Sequence, residues 1–418
     1  MKNNNQFISW QVFTVIGIVL LFSGCYKDNN VRLTKTYTIY SPVYKSKKAV
    51  LTAINGNSSE AIEHAGKIYI KGNFIYLNEV NKGIHIIDNS NPSHPVQTAF
   101  LSIPSNIDIA IKENILYADM YSDLLALDIT DPHHAKITST LNNFFVGRAY
   151  VNEYAANMDD KIAVDWNQKD TTVPADQISP NCDFCVFDLN NAAVPKAASS
   201  TGVAGSMAGM VLMNNNLYAI TEMHSLGIVD ISNAATPTLD TAFFAGYDLQ
   251  TIFPFEDKLF LGSAIGMFMY DVSDPKHPVS IGEFKHGRAC DPVITDGKYA
   301  YVTLHAGDAC GGNANELNVI DVKDLQHSLL VKTYPLTKPT GLSKDDDLLF
   351  ICDGTAVKVY NAINPGALQL LQPIASNEPY DVIAADKKAM VVCSDGLYQY
   401  DYSDINHIRL LSFMPIKK

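Results

Sequence analysis

Between Gly83 and Asp401 the chain repeatedly runs through a short apolar stretch, closes it on an acidic residue and follows it with turn residues. The unit reads GIHIIDNSNPSHP from Gly83, LLALDITDPHH from Leu124, FCVFDLNNAAVP from Phe184, LGIVDISNAATP from Leu226, MFMYDVSDPKHP from Met267 and LNVIDVKDLQH from Leu317. Weaker copies are VKVYNAINPGA from Val357 and LYQYDYSDINH from Leu397. The closing residues are Asp88, Asp128, Asp188, Asp230, Asp271, Asp321, Asn361 and Asp401, spaced by 40, 60, 42, 41, 50, 40 and 40. A base period near forty with two insertions fits eight copies.

Each copy holds four strand signals separated by turns; in the last they are Tyr380-DVIAA, Ala389-MVVCS, Leu397-YQYDYS and Ile408-RLLSFM. The third strand is apolar at successive positions, as in Leu317, Val319 and Ile320. A strand apolar on both faces is packed between neighbouring sheets. An Asp followed two or three residues later by Asp-Pro fastens a turn through side-chain to backbone bonds, so the closing acids are expected to be turn-formers. The expected fold is all-β, a propeller of four-stranded antiparallel blades, eight in number with seven as the alternative. Ala49-VLTAI is similar to the fourth strand of copy one, Gln97-TAFLSI, and is expected to pair near the point of closure.

The third-strand pattern, nearest to its consensus at Leu226-Gly-Ile-Val-Asp230, resembles the LVIVD repeat family. The resemblance covers roughly residues 64–414 and departs from the family pattern where Asn361 replaces Asp and Gln399 interrupts the apolar series. It implies a propeller of the kind found in secreted and surface bacterial proteins, and no particular chemistry.

The N-terminus changes the picture of where this propeller sits. An apolar stretch from Val12 to Phe22, too short for a comfortable membrane span, ends in Leu21-Phe22-Ser23-Gly24-Cys25. Small residues before a cysteine after such a stretch resemble the lipobox of bacterial lipoproteins. The resemblance implies a signal peptide over 1–24, cleavage before Cys25 and acylation of that residue. A tether would follow over 25–60 and the propeller over 61–418. Lys27-Asp28 resembles the signal that directs some Gram-negative lipoproteins to the outer face of the outer membrane. The expected location is the cell envelope, as an outer-membrane lipoprotein that is periplasmic or surface-exposed.

A formal charge of −13 argues against nucleic acid as a partner. Beyond Cys25, six cysteines permit disulfides in an oxidising compartment. Cys290 and Cys310 share one face of copy six, and a bridge between them is plausible. Cys182 and Cys185 run into a strand and reach each other only across a turn. Cys352 and Cys393 occupy equivalent sites in neighbouring copies and are expected to be free and buried.

Function is expected on the face that collects both insertions, about 165–181 and 305–315, because long loops on a rigid scaffold carry binding. Candidate residues there are Asp108, Arg148, Trp166, Asp248, Arg288, Asp291, His305, Asp308 and Asp381, with Trp166 as a candidate aromatic anchor. The bland reading of the aspartates is that they satisfy loop amides. No cofactor is expected, although a divalent cation could sit at the channel mouth. His305, Asp308 and Cys310 are metal-ligand types that compete with the Cys290 bridge. No HExxH, GxSxG or P-loop is present and no catalytic residue is assigned. The resulting expectation is a binding scaffold for an envelope protein or a glycan, held to the membrane by its N-terminal lipid. The alternative is an envelope hydrolase or lyase that uses acidic residues at the channel mouth.

Overall fold

The computed structural model describes residues 34–56, 60–152, 154–174, 206–207, 209–289, 292–307 and 312–417. The chain divides into two compact units. The smaller comprises 1–39 and 169–187, and its described part joins two strands whose side chains meet at Thr36–Thr172 and Thr38–Asp170. The larger comprises 40–168 and 188–418 and is the propeller.

Seven four-stranded antiparallel sheets make up the propeller among the described residues, each with its strands in chain order. Blades 1 to 7 span 65–102, 109–141, 210–244, 249–285, 293–335, 339–375 and 379–415. Within each, the first strand is innermost and the fourth is the outer edge. The second and third strands are almost wholly buried, for example Leu259–Leu261 and Leu317–Ile320. Apolar clusters between adjacent sheets bind the blades: one holds Val357 and Val359 of blade 6 against Ala389 and Val391 of blade 7.

The closing acids form turns, as their chemistry requires. Asp88, Asp128, Asp230, Asp271, Asp321 and Asp401 each accept the amide two residues on, at 2.7–3.1 Å. Asn361 does the same at 3.0 Å, so a neutral acceptor serves as well. Just before that residue every blade carries a register shift between third and fourth strands, as between Ile86 and Ile87 or Gln399 and Tyr400. A bulge there twists the outer strand and blunts an otherwise open edge.

Two expectations need correction. The count is seven, because the stretch read as a third copy forms no blade in its described part. There Tyr150–Val151 pairs with Tyr154–Ala155, and Lys161–Pro174 pairs with Thr34–Ser46, so its strands find partners outside the circle of blades. Asp188, its closing residue, lies outside the described residues, as do Cys182 and Cys185. In chain order, residues 142–209 separate blades 2 and 3. The second correction concerns Ala49-VLTAI, which is helical: helix α1, Lys47–Ala53, starts at Ser46, whose hydroxyl accepts the Ala49 amide. Val50 and Ile54 anchor it in the cluster around blade 2. Closure runs instead between blades 7 and 1, where Ile383, Met390 and Val392 pack on Ile68, Ile75 and Leu77. Gln399, the polar interruption in the last copy, exchanges two hydrogen bonds with Asn89 of blade 1, at 3.0 and 2.8 Å. A buried amide met on both its atoms costs little and fixes register.

Candidate functional site

Links from a fourth strand to the next first strand and turns between second and third strands open on one face. Both long insertions leave the blades at that face, the one between blades 2 and 3 after Leu141 and the one within blade 5 after Leu304. Asp291, Asp308, Cys290 and Cys310 lie outside the described residues, and so does Cys25.

At the channel mouth the acids are engaged internally. Asp108 is almost wholly buried; its Oδ2 meets the Lys67 ammonium and accepts the Gly209 amide at 3.0 Å, and its Oδ1 accepts the Ile109 amide at 2.9 Å. Burial pushes the Asp108 carboxyl up and the Lys67 ammonium down, and each charge pulls the other back. Beside this pair stands Asp119, fully buried, whose Oδ1 accepts the amides of Ile107 and Asp108 at 3.0 and 2.6 Å. Its Oδ2 meets the guanidinium of Arg148, which also lies over the Phe145 ring at 4.7 Å. Two acids and two bases thus close a neutral cluster. Asp381 is fully buried and its Oδ1 accepts the Val382 amide at 3.0 Å. Across the mouth, the Ser206 hydroxyl accepts the Leu342 amide of blade 6 at 2.8 Å, so the lead-in to blade 3 bridges from blade 2 to blade 6.

The acids that the sequence did not single out share one task. Glu79, Asp119 and Asp353 each sit on a second strand and accept two amides of the link leading into their own blade: 63 and 64, 107 and 108, 337 and 338. The only sequence signal is an acid near the end of an apolar second strand. Burial would raise the Glu79 carboxyl, but the bonds from His85 and the two amides outweigh it and hold the group below its usual range. Glu63, His64 and Glu79 bring ligand-type atoms within 4.8 Å of one another. Glu79 is saturated by amides and His85, and Glu63 pairs with Lys82 at 2.5 Å, so these carboxylates already have partners.

His305 is half-buried, and burial with the nearby Lys338 pushes its imidazole down. Trp166 is half-buried against the blade 2 cluster with Tyr154 at 6.3 Å, packed rather than displayed. Asp248 and Arg288 meet at 3.2 Å, and the Asp248 amide lies 3.3 Å from His224 Nδ1.

Around that pair the sequence reading missed what the face displays. Met223, Phe244 and Tyr247 are 62, 56 and 58 % exposed. Tyr247 meets Phe244 edge-on at 5.0 Å and His224 at 5.4 Å. The 142–209 link adds Val146 and Tyr150, 53 and 69 % exposed. Its short 3-10 turn, Val146–Arg148, lies against the Thr221–Glu222 end of the blade 3 second strand, beside Met223. Gly227 permits this approach: a Cβ there would stand 2.6 Å from the Phe144 ring that anchors the link. Val146, Met223, Phe244 and Tyr247, from three loops, thus stand exposed at the blade 3 end of this face.

The family model of the LVIVD repeat matches residues 63–99 and 205–243, which include the third strands of blades 1 and 3. The chain thus carries LVIVD repeats within a β-propeller. No curated protein matches the chain by sequence. Among solved structures it is similar to the computationally designed Ika8 protein (9 % identity, 86 % of this chain and 90 % of that one, TM-score 0.52). It is also similar to Sqt1 of Saccharomyces cerevisiae (8 % identity, 85 % and 87 %, TM-score 0.52). BamB of Moraxella catarrhalis aligns with 8 % identity over 86 % of this chain and 99 % of its own, at TM-score 0.51. At such identities these likenesses show the fold alone.

Proposed function

We propose that the chain is a binding scaffold at the cell envelope, and that it takes a protein partner on the face of blade 3 bearing Met223, Phe244 and Tyr247. The exposed cluster carries this reading. Large aromatic and Met side chains beside a polar rim are the composition of interface hot spots, and contiguous exposed apolar surface marks interaction sites. The geometry favours protein over glycan. Tyr247 stands at 67–73° to His224 and Phe244, which tilt 41° to each other, so the group offers edges and clefts to apolar side chains instead of one flat platform for a sugar. Two of the described acids at the mouth, Asp108 and Asp381, are by contrast buried and accept backbone amides, Asp108 also meeting Lys67, so neither of these two carboxylates faces a substrate.

A photoreactive residue in place of Tyr247, in the membrane-anchored protein, should capture one defined partner. The same residue in place of His277, on the opposite face, should not. Phe244→Ser with Met223→Ser should abolish the capture without lowering the melting temperature. Equal capture from both faces would sink the reading. The envelope location rests on the segment ending at Cys25: Cys25→Ala should release the protein from membranes or leave its precursor uncleaved, and an unmodified Cys25 thiol in membrane-bound wild type would contradict it.

A further inference from the structure

The outer strand of each blade is an edge, and its exposed face differs around the circle. At the bulged position blades 1, 2 and 3 carry Thr98, Thr138 and Asp240, and the two threonine hydroxyls donate to third-strand carbonyls at 3.1 Å. Blades 5, 6 and 7 carry Val331, Leu371 and Leu411 there. The apolar character extends along these three strands. Leu329, Leu330, Leu370 and Leu410 are 50–68 % exposed, and Ile363 of the adjoining turn is 68 % exposed. Val331 reaches Gly366 in the turn of blade 6, within 3.7 Å of the place a Cβ would occupy, so the patch is continuous from blade 5 to blade 6.

With large apolar side chains presenting roughly 150–200 Å² when fully exposed, these residues with Val331 and Leu371 amount to about 550 Å² on blades 5 and 6, and Leu410 with Phe413 brings the three rims to about 700 Å². The blade 5 and 6 part alone stands at the upper end of the patch of a typical monomer, and the three rims together approach the ~800 Å² that one partner gives to a standard interface. The three strands, LLVKTYP, QLLQPIA and RLLSFMP, contain no acid in a chain of net charge −13. The outer strands of blades 1 and 2 are also free of acid but carry far less exposed apolar surface, so on blades 5–7 two copies meet without bringing strand carboxylates together.

We propose that the outer rim of blades 5–7 is a self-association surface that pairs two copies of this chain about a two-fold axis. The bulges keep the edges from continuing a β-ladder, so the contact is made by side chains. A lipid surface fits less well: the helix Lys47–Ala53 leads the chain in against blade 2, across the circle from blades 5 and 6. This surface is distinct from the blade 3 cluster and stands or falls without it.

A photoreactive residue in place of Leu371, in the full-length protein in its membrane, should give a product of twice the chain mass containing peptides of this chain only. The same residue in place of Leu239, on the rim of blade 3, should give none. Leu330→Lys with Leu370→Lys should cut the Leu371 product at least tenfold with the melting temperature unchanged. If that pair lowers the melting temperature, Leu329→Lys with Ile363→Lys replaces it and should give the same loss. Crosslinks to lipid or to another protein, no product at all, or a product that survives both pairs would overturn the proposal.

Discussion

Replacing Asp119 by Ala isolates the device that sets the link into blade 2. The carboxylate is fully buried and accepts the amides of Ile107 and Asp108, the Asn106 side chain at 2.9 Å and the Arg148 guanidinium. Asn106 keeps other acceptors, the carbonyls of Asp108 and Asp119 at 3.0 and 3.1 Å. Arg148 is about a third exposed and turns to water. The loss therefore falls mainly on two buried amides, at roughly 1–3 kcal/mol each. Leaving Lys67 and Arg148 against Asp108 alone adds an uncompensated charge, so the whole change should cost about 4 kcal/mol, within the range for breaking a buried pair. For a chain this long that is roughly 4–8 °C of melting temperature at a fixed scan rate. Asp119→Asn keeps one oxygen for the amides and should fall between. Asp131→Ala, which removes an exposed turn acid paired with His134 at 2.7 Å, should change the melting temperature by less than 1 °C. Hydrogen exchange of residues 107 and 108 should accelerate in the Asp119 variant alone. If Asp119→Ala melts within 1 °C of wild type, or Asp131→Ala costs as much, the second-strand acids do not hold the links.

The remaining expectations concern glycine, thiols and acid. Gly282→Ala puts a Cβ 1.9 Å from the Leu325 carbonyl of the next blade and should destabilise by about 1–3 kcal/mol. Gly287→Ala, with nothing within 4 Å, should stay within about 0.5 kcal/mol, and thermal melts of the pair decide whether blade contact or backbone freedom matters. Cys352 and Cys393 are buried and unbridged; burial pushes Cys393 up to about 12 and Cys352 well above its usual value. Peptide mapping should find both unalkylated by iodoacetamide at pH 8 until the protein unfolds, and rapid labelling of either would refute their burial. Bonds from Ser90, Ser232 and Ser273 hold Asp88, Asp230 and Asp271 below the ordinary 3.8. Groups lowered in the folded state stabilise it above their unfolded pKa, and this support is lost as pH falls from about 4 through the folded values. Asp88→Asn with Asp230→Asn and Asp271→Asn removes this support, so stability followed by circular dichroism should fall at pH 7 and barely change at pH 2; an equal loss at both pH values would mean that ionisation of these carboxylates does not stabilise the turns.

The chain by itself determined the repeating strand, its turn and the propeller class, because these depend on neighbours within a few residues. Asp271 finds the Ser273 amide wherever the turn forms, and Asn361 can stand in an acid's place because its amide oxygen accepts the same bond. The buried, unbridged state of Cys352 and Cys393 was equally legible from their equivalent places in adjacent copies. Blade number was decided elsewhere. FCVFDLNN has the local grammar of a third strand, but a blade needs four strands pairing within the circle, and the described strands beside it pair with 34–46 or with each other. The site residues divide along the same line. Asp108, Asp248 and Arg288 stood out as charges near strand starts, yet whether such a charge faces solvent, an amide or a counter-ion depends on segments dozens of residues away, as Gly209 is from Asp108. The blade 3 cluster and the apolar rim of blades 5–7 were invisible for that reason. In the sequence Met223, Phe244, Leu330 and Leu371 are apolar residues like those of any strand or turn, and only the packed circle of blades leaves them outside the core.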